Sequence, residues 1–194
     1  APSDVVNAPW IVVKNARVAL AHLAAEFFGQ PARAMRVVGV TGTNGKTTTT
    51  WVMQAIFEAA NVPCGLIGTV GYRVGARVST ATHTTPEAPE VQRLLREMVD
   101  AGCGACAMEV SSHALALHRA DAIPFAAGVF TNLTRDHLDF HETMDAYYAA
   151  KARLFDMLPA ASPAVVNVDD PRGVTLAETS APIATEKVKR SLEY

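Results

Sequence analysis

The stretch VVGVTGTNGKTTTT, residues 37–50, predicts three consecutive elements. Its valines favour a buried strand, its glycines favour a tight turn, and the threonines after Lys46 can form the first turn of a helix. A strand, a glycine-rich loop and a helix in this order form the repeating unit of α/β proteins with parallel sheets. Further units of the same kind in the rest of the chain would extend this one into a parallel sheet.

The loop in this stretch has residues that suit a phosphate group. Glycines let successive backbone N–H groups point into one concavity, and the N-terminus of the following helix adds about half a positive charge. Lys46 would reach the β- and γ-phosphates of a nucleotide, and the Thr47 hydroxyl would hold magnesium. The general pattern GxxxxGK followed by Ser or Thr also asks for glycine at position 40, where the chain has Val40. The match is partial, but a plain strand-to-helix turn would not require Lys and Thr directly after Gly45.

The composition is that of a globular protein. The chain has 194 residues, of which 49% are hydrophobic, and this is enough for one domain with a substantial core. A net charge of −2 provides no broad basic surface for nucleic acid, and no apolar run has the length of a membrane span. The N-terminal sequence APSDVVNAPW lacks the basic and apolar regions of a signal peptide. We therefore expect a cytoplasmic monomer without nucleic-acid binding or membrane insertion.

The three cysteines are an odd number and too few for a disulfide framework. Cys103 and Cys106 form a CxxC, but no second ligand pair is present to complete a zinc site. Cys106 also lies inside ACAMEV, residues 105–110, a predicted buried strand in which cysteine packs as a small apolar residue. We expect the cysteines to belong to the core.

Strands alternate with helices along the rest of the chain. The predicted strands are CGLIGTV, ACAMEV, FAAGVFTN and PAVVNV, and YRVGARVS predicts a hairpin. Such alternation predicts an α/β, three-layer fold of the P-loop type, with a mostly parallel sheet covered by helices on both faces. Ligands bind to such sheets at the carboxyl ends of the strands.

Two helix predictions rest on capping residues. Asn15 would cap a lead-in helix whose apolar positions Leu20, Leu23 and Phe27 recur at helical spacing. A later helix would begin with Thr85 as its cap and would carry a complete apolar stripe.

Several polar residues directly follow predicted strands. Glu109 ends ACAMEV, a position where nucleotide-binding sheets commonly place a carboxylate that faces the phosphates and their metal. The alternative is that Glu109 is simply a solvent-facing residue at the end of a strand. The segment EVSSH around it lacks GxSxG, so a serine hydrolase is not indicated. His137, Asp139 and His141 alternate and could place three metal ligands on one side of an extended segment. A polar loop that caps a helix is the alternative.

Lys151 falls inside an apolar stripe. The helix predicted from the cap Thr143 to about Leu158 has Tyr147 and Leu154 on the same face as Lys151. A lysine at this position should be neutral, paired or modified, because an unpaired buried ammonium is costly. Snorkelling from the edge of the stripe is the alternative.

These motifs together resemble those of the Mur ligase family. The matching stretches, in order over residues 37 to about 173, are GVTGTNGKTTT, TTPE, AMEVSSHAL, FTNLTRDHLDFH, AYYAAKARLF and VVNVDDPRG. The loop of this family has GTNGKT without the earlier glycine, which accounts for Val40. TTPE and EVSSHAL resemble the members that add the third amino acid, diaminopimelate or lysine, to UDP-N-acetylmuramoyl-L-alanyl-D-glutamate in peptidoglycan synthesis.

The resemblance implies a set of site residues. Those that bind the ATP phosphates would be Gly42, Thr43, Asn44, Gly45, Lys46, Thr47 and Thr48. Those that hold magnesium would be Thr47, Glu109, His137 and Lys151, the last as a carbamylated lysine. The catalytic residues would be Lys46, Glu109, His137 and Lys151. Those that contact the UDP-muramoyl dipeptide would be His83, Thr84, Thr85, Ser111 and Arg119, with His83 standing where some members have asparagine.

The resemblance also implies a reaction and a division of the chain. The reaction is ATP-dependent amide formation through an acyl phosphate. Residues 1–36 would be the tail of an N-terminal domain and a lead-in helix, and residues 37–194 a truncated central ATP-binding domain. With the amino-acid-binding domain missing, we expect these residues to be inactive as a ligase on their own. The alternatives are another member of the wider family, such as a folylpolyglutamate synthase, and a non-catalytic nucleotide-binding fragment.

Overall fold

A computed structural model of the chain describes residues 11–179 and 185–188. The strands in these residues are β1 (Arg36–Thr41), β2 (Cys64–Ile67), β3 (Tyr72–Val74), β4 (Arg77–Ser79), β5 (Ala105–Glu109), β6 (Ala127–Phe130), β7 (Ala164–Asn167) and β8 (Thr185–Val188). The α-helices in the same residues are α1 (Ala16–Phe27), α2 (Lys46–Ala59), α3 (Ala88–Asp100), α4 (Ser112–Ala116), α5 (Leu138–His141), α6 (Met144–Asp156) and α7 (Pro171–Thr179). None of these described helices is long and apolar enough to cross a membrane.

The described strands form one sheet in the order β4-β3-β2-β5-β1-β6-β7-β8. The six strands from β2 to β8 in this order are parallel, and β3 and β4 form the predicted hairpin at one edge. The predicted fold class is therefore confirmed. β8 was not predicted from the sequence.

Helices cover both faces of the sheet, and the side chains of β5 are buried on both of these faces. Cys106 and Met108 point into the larger core, to which α3 and α6 contribute, whereas Ala105 and Ala107 pack on the other face with Met53 of α2. Successive side chains of a strand point to opposite faces, so a strand that is apolar at every position must be covered twice. All three cysteines are buried and free, as predicted.

α1 forms where its cap predicts it, but it turns a different face to the core. The Asn15 side chain accepts hydrogen bonds from two backbone N–H groups of the first turn. The buried residues of the helix are Ala21, Ala24 and Ala25. The exposed large apolar residues of the helix are Leu20, Leu23 and Phe27. α1 packs against α3, and the small alanine face allows the two helices to approach closely.

α3 does not begin where the sequence predicts. Its first residue is Ala88 after the cap Glu87, so the prediction that Thr85 caps this helix is wrong. The buried Thr85 hydroxyl donates to Glu109 O at 2.8 Å, and the backbone N–H of Ser111 donates to it at 3.0 Å. Thr85 therefore connects the segment before α3 to the end of β5.

Candidate functional site

The glycine-rich loop joins β1 to α2 at the carboxyl edge of the sheet, between the ends of β5 and β6. Gly42 and Gly45 have positive φ angles of 145° and 84°. A Cβ at Gly42 would lie only 1.9 Å from Thr131 Oγ1, which is far inside van der Waals contact. The backbone of the loop and the segment after β6 are therefore packed too closely at this point for any side chain.

The segment after β6 holds the loop in place. The backbone N–H of Asn44 donates to Asn132 Oδ1 at 3.0 Å, and Asn132 Nδ2 donates back to Asn44 O at 3.1 Å. Thr131 Oγ1 also donates to Asn44 O, at 2.7 Å, and the Thr134 N–H donates to Thr43 Oγ1 at 3.0 Å. The role of these clamping residues was not predicted from the sequence. The sequence signal that could have identified them is their position directly after β6, the strand that lies beside β1.

Lys46 lies at the start of α2 and folds back over the loop. Its Nζ donates to Gly42 O at 2.8 Å and to Thr43 O at 2.9 Å. Burial lowers the pKa of Lys46, while the charges of Glu109 and Asp136 act in the opposite direction. An anion in the loop would compete with the two carbonyl groups for this ammonium.

Glu109 lies beside the loop. It pairs with Val40 in the register of β1 and β5. Because alternate side chains of a strand point to the same face of the sheet, Glu109 points to the same face as Ala105 and Ala107, which is the face covered by α2. The residue is fully buried, which contradicts the solvent-facing alternative. Its carboxylate accepts hydrogen bonds from Thr69 N at 2.9 Å and Thr69 Oγ1 at 3.1 Å. A buried, oriented carboxylate therefore stands next to the loop.

Lys151 approaches the same loop from α6. It is only 1% exposed, so it does not snorkel, and its Nζ donates to Gly42 O at 2.7 Å. The ammonium lies 4.5 Å from the ring centroid of Tyr147, whose hydroxyl is 3.1 Å from Thr43 Oγ1. Burial, and next the positive charge of Lys46, lower the pKa of Lys151 to about 7. A large fraction of this amine is therefore neutral near pH 7, and Tyr147 is a further residue of the site that the sequence analysis did not assign.

The segment around His137 differs from the predicted extended ligand set. Residues 138–141 form the short helix α5, so His137, Asp139 and His141 do not line up on one side. His141 turns inward, and its Nε2 lies 2.9 Å from Ser112 Oγ. The His137 ring packs instead on His113, with ring centroids 4.8 Å apart. Within the described part of the chain, no group of three His, Cys, Asp or Glu side chains could hold a metal ion.

Four of the five residues predicted to contact the dipeptide meet beyond the end of β5. Arg119 Nη1 donates to Thr85 O at 3.1 Å, and the Ser111 hydroxyl caps α4 by accepting from a backbone N–H. Thr84 Oγ1 lies 3.0 Å from the hydroxyl of Thr69, a residue that also binds Glu109. The Arg119 Nε is buried and has no hydrogen-bond partner among the described residues. The fifth residue, His83, is exposed.

Replacing Thr85 with valine should lower the free energy of unfolding by about 1–3 kcal/mol. Valine keeps the shape of threonine, but it leaves Glu109 O and the Ser111 N–H without their partner. Urea denaturation would measure the change. Thr84→Val is the matched control, because Thr84 is only half-buried, and we expect it to cost about 0.5 kcal/mol or less. Equal losses in the two variants would contradict the connecting role of Thr85.

The sheet order and the loop define the class of protein, which is an α/β protein of the P-loop type. The chain belongs to the Mur ligase family, because residues 40–193 match the model of the Mur ligase middle domain. The resemblance stated from the motifs is therefore confirmed. The match also continues past residue 173, beyond the last stretch that the motifs covered.

Several relatives are highly similar over most of the chain. A UDP-N-acetylmuramoyl-L-alanyl-D-glutamate--2,6-diaminopimelate ligase from Geobacter metallireducens is 49% identical over 91% of this chain and 36% of its own length. A UDP-N-acetylmuramyl-tripeptide synthetase from a Roseiflexus species is 48% identical over 94% of this chain and 38% of its own length. The chain thus spans little more than a third of the relatives that it matches.

Solved structures have the same fold. A UDP-N-acetylmuramoyl-L-alanyl-D-glutamate--2,6-diaminopimelate ligase superposes with a TM-score of 0.78 and 29% identity, over 92% of this chain and 37% of that one. A folylpolyglutamate synthase from Mycobacterium tuberculosis, complexed with ADP and AMPPCP, has a TM-score of 0.66 and 16% identity over 89% of this chain and 46% of its own. At 16% identity, the similarity to the folylpolyglutamate synthase shows a shared fold only.

Proposed function

We propose that the chain is the ATP-binding part of an amide ligase that adds diaminopimelate to UDP-N-acetylmuramoyl-L-alanyl-D-glutamate in peptidoglycan synthesis. The observation that carries this proposal is the convergence of Lys46 and Lys151 on the carbonyl of Gly42. A simple phosphate-binding loop requires the first lysine but not the second. Relatives with 49% identity that are named as such ligases support the same assignment.

The loop fits the phosphates of ATP. Gly42 and Gly45 have backbone conformations that side chains disfavour, and the loop opens directly into the N-terminus of α2. Lys46, with its depressed pKa, is held at the loop and would transfer its hydrogen bonds from the carbonyl groups to phosphate oxygens. In this proposal the backbone from Gly42 to Thr48 surrounds the phosphates.

The oxygen donors near the loop fit magnesium. The hydroxyl of Thr47 and the buried carboxylate of Glu109 are the hard ligands that this ion prefers, and His137 would serve a second ion. When bound, magnesium would offset the negative charge on the transferring phosphoryl group.

Lys151 would complete the metal site as a carbamate. Its neutral amine would attack carbon dioxide, forming an N–C bond, and would release one proton to solvent. A buried neutral amine would thereby become an anion next to Lys46, which has the opposite charge. The 2.7 Å contact with Gly42 O and the packing on Tyr147 hold the amine beside the phosphate loop.

The side chains beyond β5 would orient the muramoyl dipeptide. The residues that would contact it are Thr84, Thr85, Ser111, Arg119 and His83, and Arg119 Nη2 is held there by an ion pair with Glu87 at 2.7 Å. The D-glutamate side-chain carboxylate would take the γ-phosphoryl group from ATP, with release of ADP. The incoming amine would then attack the acyl carbon, expel phosphate and lose a proton, which gives the amide. Lys46 would stabilise the charge that develops during phosphoryl transfer.

In this proposal residues 1–36 are the tail of an N-terminal domain with a lead-in helix, and residues 37–194 are the central ATP-binding domain. The folylpolyglutamate synthase alternative has weaker support, because its structures share 16–21% identity with this chain. A non-catalytic fragment is the remaining alternative, and nucleotide binding distinguishes it.

Calorimetry should detect binding of ATP in the presence of magnesium to this chain. We expect Lys46→Met to weaken binding about 30-fold or more, because charge-assisted hydrogen bonds to phosphate are lost. Lys14→Met is the control, since Lys14 is exposed and far from the loop in sequence. We also expect no tripeptide from ATP, the muramoyl dipeptide and diaminopimelate, because the chain covers 36% of its relative.

Two results would change this proposal. Absence of ATP binding to the wild-type chain would favour the non-catalytic alternative. Detection of tripeptide would show that the described domain needs no further domain for ligation.

A further inference from the structure

The turn between β7 and α7, residues 167–173, lies beside the segment that clamps the glycine-rich loop. β7 is parallel to β6 and pairs with it, so both chains leave their strands at the same carboxyl edge of the sheet. The clamping segment, residues 131–134, therefore has the glycine-rich loop on one side and this turn on the other.

Asp170 of the turn binds the clamping segment through one of its carboxylate oxygens. Its Oδ2 accepts a hydrogen bond from the backbone N–H of Leu133 at 2.6 Å, and its Oδ1 accepts from the backbone N–H of Arg172 at 2.8 Å. Hydrogen bonds to a carboxylate are stronger than those between neutral groups. An amide at this position could accept only one of the two bonds and would turn its NH₂ group toward the other N–H. The position therefore suits aspartate and not asparagine.

Asn167 binds the same segment with the opposite polarity. Its Nδ2 donates to Thr131 O at 2.8 Å, while its Oδ1 accepts from the backbone N–H of Asp169 at 3.1 Å. This position needs a donor and an acceptor on one side chain, which asparagine has and aspartate lacks. Asn167 and Asp170 thus hold the segment at two points, and neither side chain can replace the other.

The turn is packed closely enough to act as a fixed support. A Cβ at Gly173 would lie only 2.0 Å from Asn167 O, so the first turn of α7 lies directly against the end of β7. The backbone N–H of Gly173 also donates to Asp170 O at 2.9 Å. On the other side of the contact, Leu133 belongs to the main core. The turn therefore holds the clamping segment in one position.

The residue that grips the loop lies between the two anchored points. Asn132 follows Thr131 and precedes Leu133, and its backbone carbonyl accepts from the Thr43 N–H at 2.9 Å. Its side chain exchanges two hydrogen bonds with the backbone of Asn44. Because planar peptide units join these neighbours, a shift at either anchored point moves Asn132 as well. The position of the loop backbone therefore depends on the turn after β7.

We propose that Asp170 and Asn167 are positioning residues for the glycine-rich loop. They act through residues 131–133 and fix the loop backbone in the conformation that receives the phosphates. Their effect on ATP binding rests on the proposed function, whereas their effect on the loop itself does not. Each effect has its own measurement.

Hydrogen exchange followed by NMR tests the effect on the loop without any ligand. In Asp170→Asn we expect the amides of Thr43 and Asn44 to exchange about tenfold faster than in the wild type, because a bond to a charged acceptor no longer opposes local opening. The amide of Thr69 is the internal control. It donates to Glu109 on the other side of the loop, at 2.9 Å, and its exchange should not change. Unchanged exchange at Thr43 and Asn44 would overturn the proposal.

Calorimetry with ATP and magnesium tests the effect on nucleotide binding. We expect Asp170→Asn and Asn167→Asp each to weaken binding about tenfold, although each exchanges only an oxygen and an NH₂ group. Ser162→Ala is the control for a loss of stability alone. The Ser162 hydroxyl donates to Phe125 O at 3.1 Å before β7, at the amino edge of the sheet. Its removal should destabilise the chain and leave the affinity for ATP unchanged.

The positioning role and the proposed function fail in different ways. Absence of ATP binding to the wild type would overturn the proposed function, and hydrogen exchange would still decide whether the turn holds the loop. If the wild type binds ATP and both turn variants bind it equally well, the positioning role is wrong. Weakening of ATP binding by Ser162→Ala to the same extent would also overturn that role, because the effect would then follow stability alone.

Discussion

Replacing Gly42 with alanine should abolish nucleotide binding and lower the free energy of unfolding by about 3 kcal/mol. Two effects combine at this position. The φ angle of 145° is unfavourable for any residue with a Cβ, and that Cβ would lie 1.9 Å from Thr131 Oγ1. The loop and the segment after β6 would have to separate, which would break the hydrogen bonds between Asn44 and Asn132.

Gly29→Ala is the control for the Gly42 variant. Gly29 also has a positive φ angle, 71°, but a Cβ there would meet no atom within 4 Å. We expect this variant to lose only about 1 kcal/mol, from backbone strain alone. Urea denaturation and calorimetry with ATP measure the two effects. A Gly42 variant that is as stable as the Gly29 variant and still binds ATP would contradict the steric account of the loop.

Replacing Lys151 with methionine should stabilise the chain while removing carbamate formation. At pH 6 the wild type carries a buried ammonium, and its replacement by an apolar side chain should gain about 1–3 kcal/mol. The gain should depend on pH, because the pKa of Lys151 is about 7 in the folded chain and 10.5 is the ordinary lysine value. Between these two values the unfolded chain binds more protons than the folded chain. The stability of the wild type therefore rises with pH in this window, by up to about 1.4 kcal/mol per unit, and the advantage of methionine shrinks.

Denaturation of both proteins at pH 6, 7.5 and 9 measures this difference, with the exposed Lys14→Met as control. A gain for Lys151→Met that does not change with pH would contradict the depressed pKa. NMR with ¹³C-labelled bicarbonate measures the second effect. A carbamate signal should appear in the wild type as the pH rises above about 7, where the amine is neutral, and should be absent from Lys151→Met. A signal that persists in the variant would belong to another amine.

The local sequence predicted much of this architecture. The alternation of strands and helices, the hairpin and the loop conformation all depend on residues close to one another in the chain. Lys151 is a particular success, because helical periodicity alone placed it inside the apolar stripe, and the structure has it 1% exposed. Glu109 was placed at the end of the correct strand, although only the fold decided that it is buried.

Long-range contacts decided what the local patterns missed. Thr85 has the chemistry of a helix cap, but its hydroxyl binds Glu109 at the end of β5 and Ser111 just after it, 24 and 26 positions away. In α2 the apolar Val52 and Ile56 are 53% and 62% exposed, whereas Thr50 and Gln54 are buried. The alternation of His137, Asp139 and His141 was interpreted as extended, and the chain forms a helical turn there instead.

Local sequence patterns were sufficient to predict the alternation of strands and helices, the phosphate-type loop and the family. These features depend on backbone preferences and on motifs, which act over a few residues at a time. Which side chains meet depends on the folded arrangement, because the contacts of Gly42 with Lys151 and of Asn44 with Asn132 join residues 109 and 88 positions apart. Such contacts arise when parallel strands bring their carboxyl ends to one edge of the sheet, and no local pattern records which of them become neighbours.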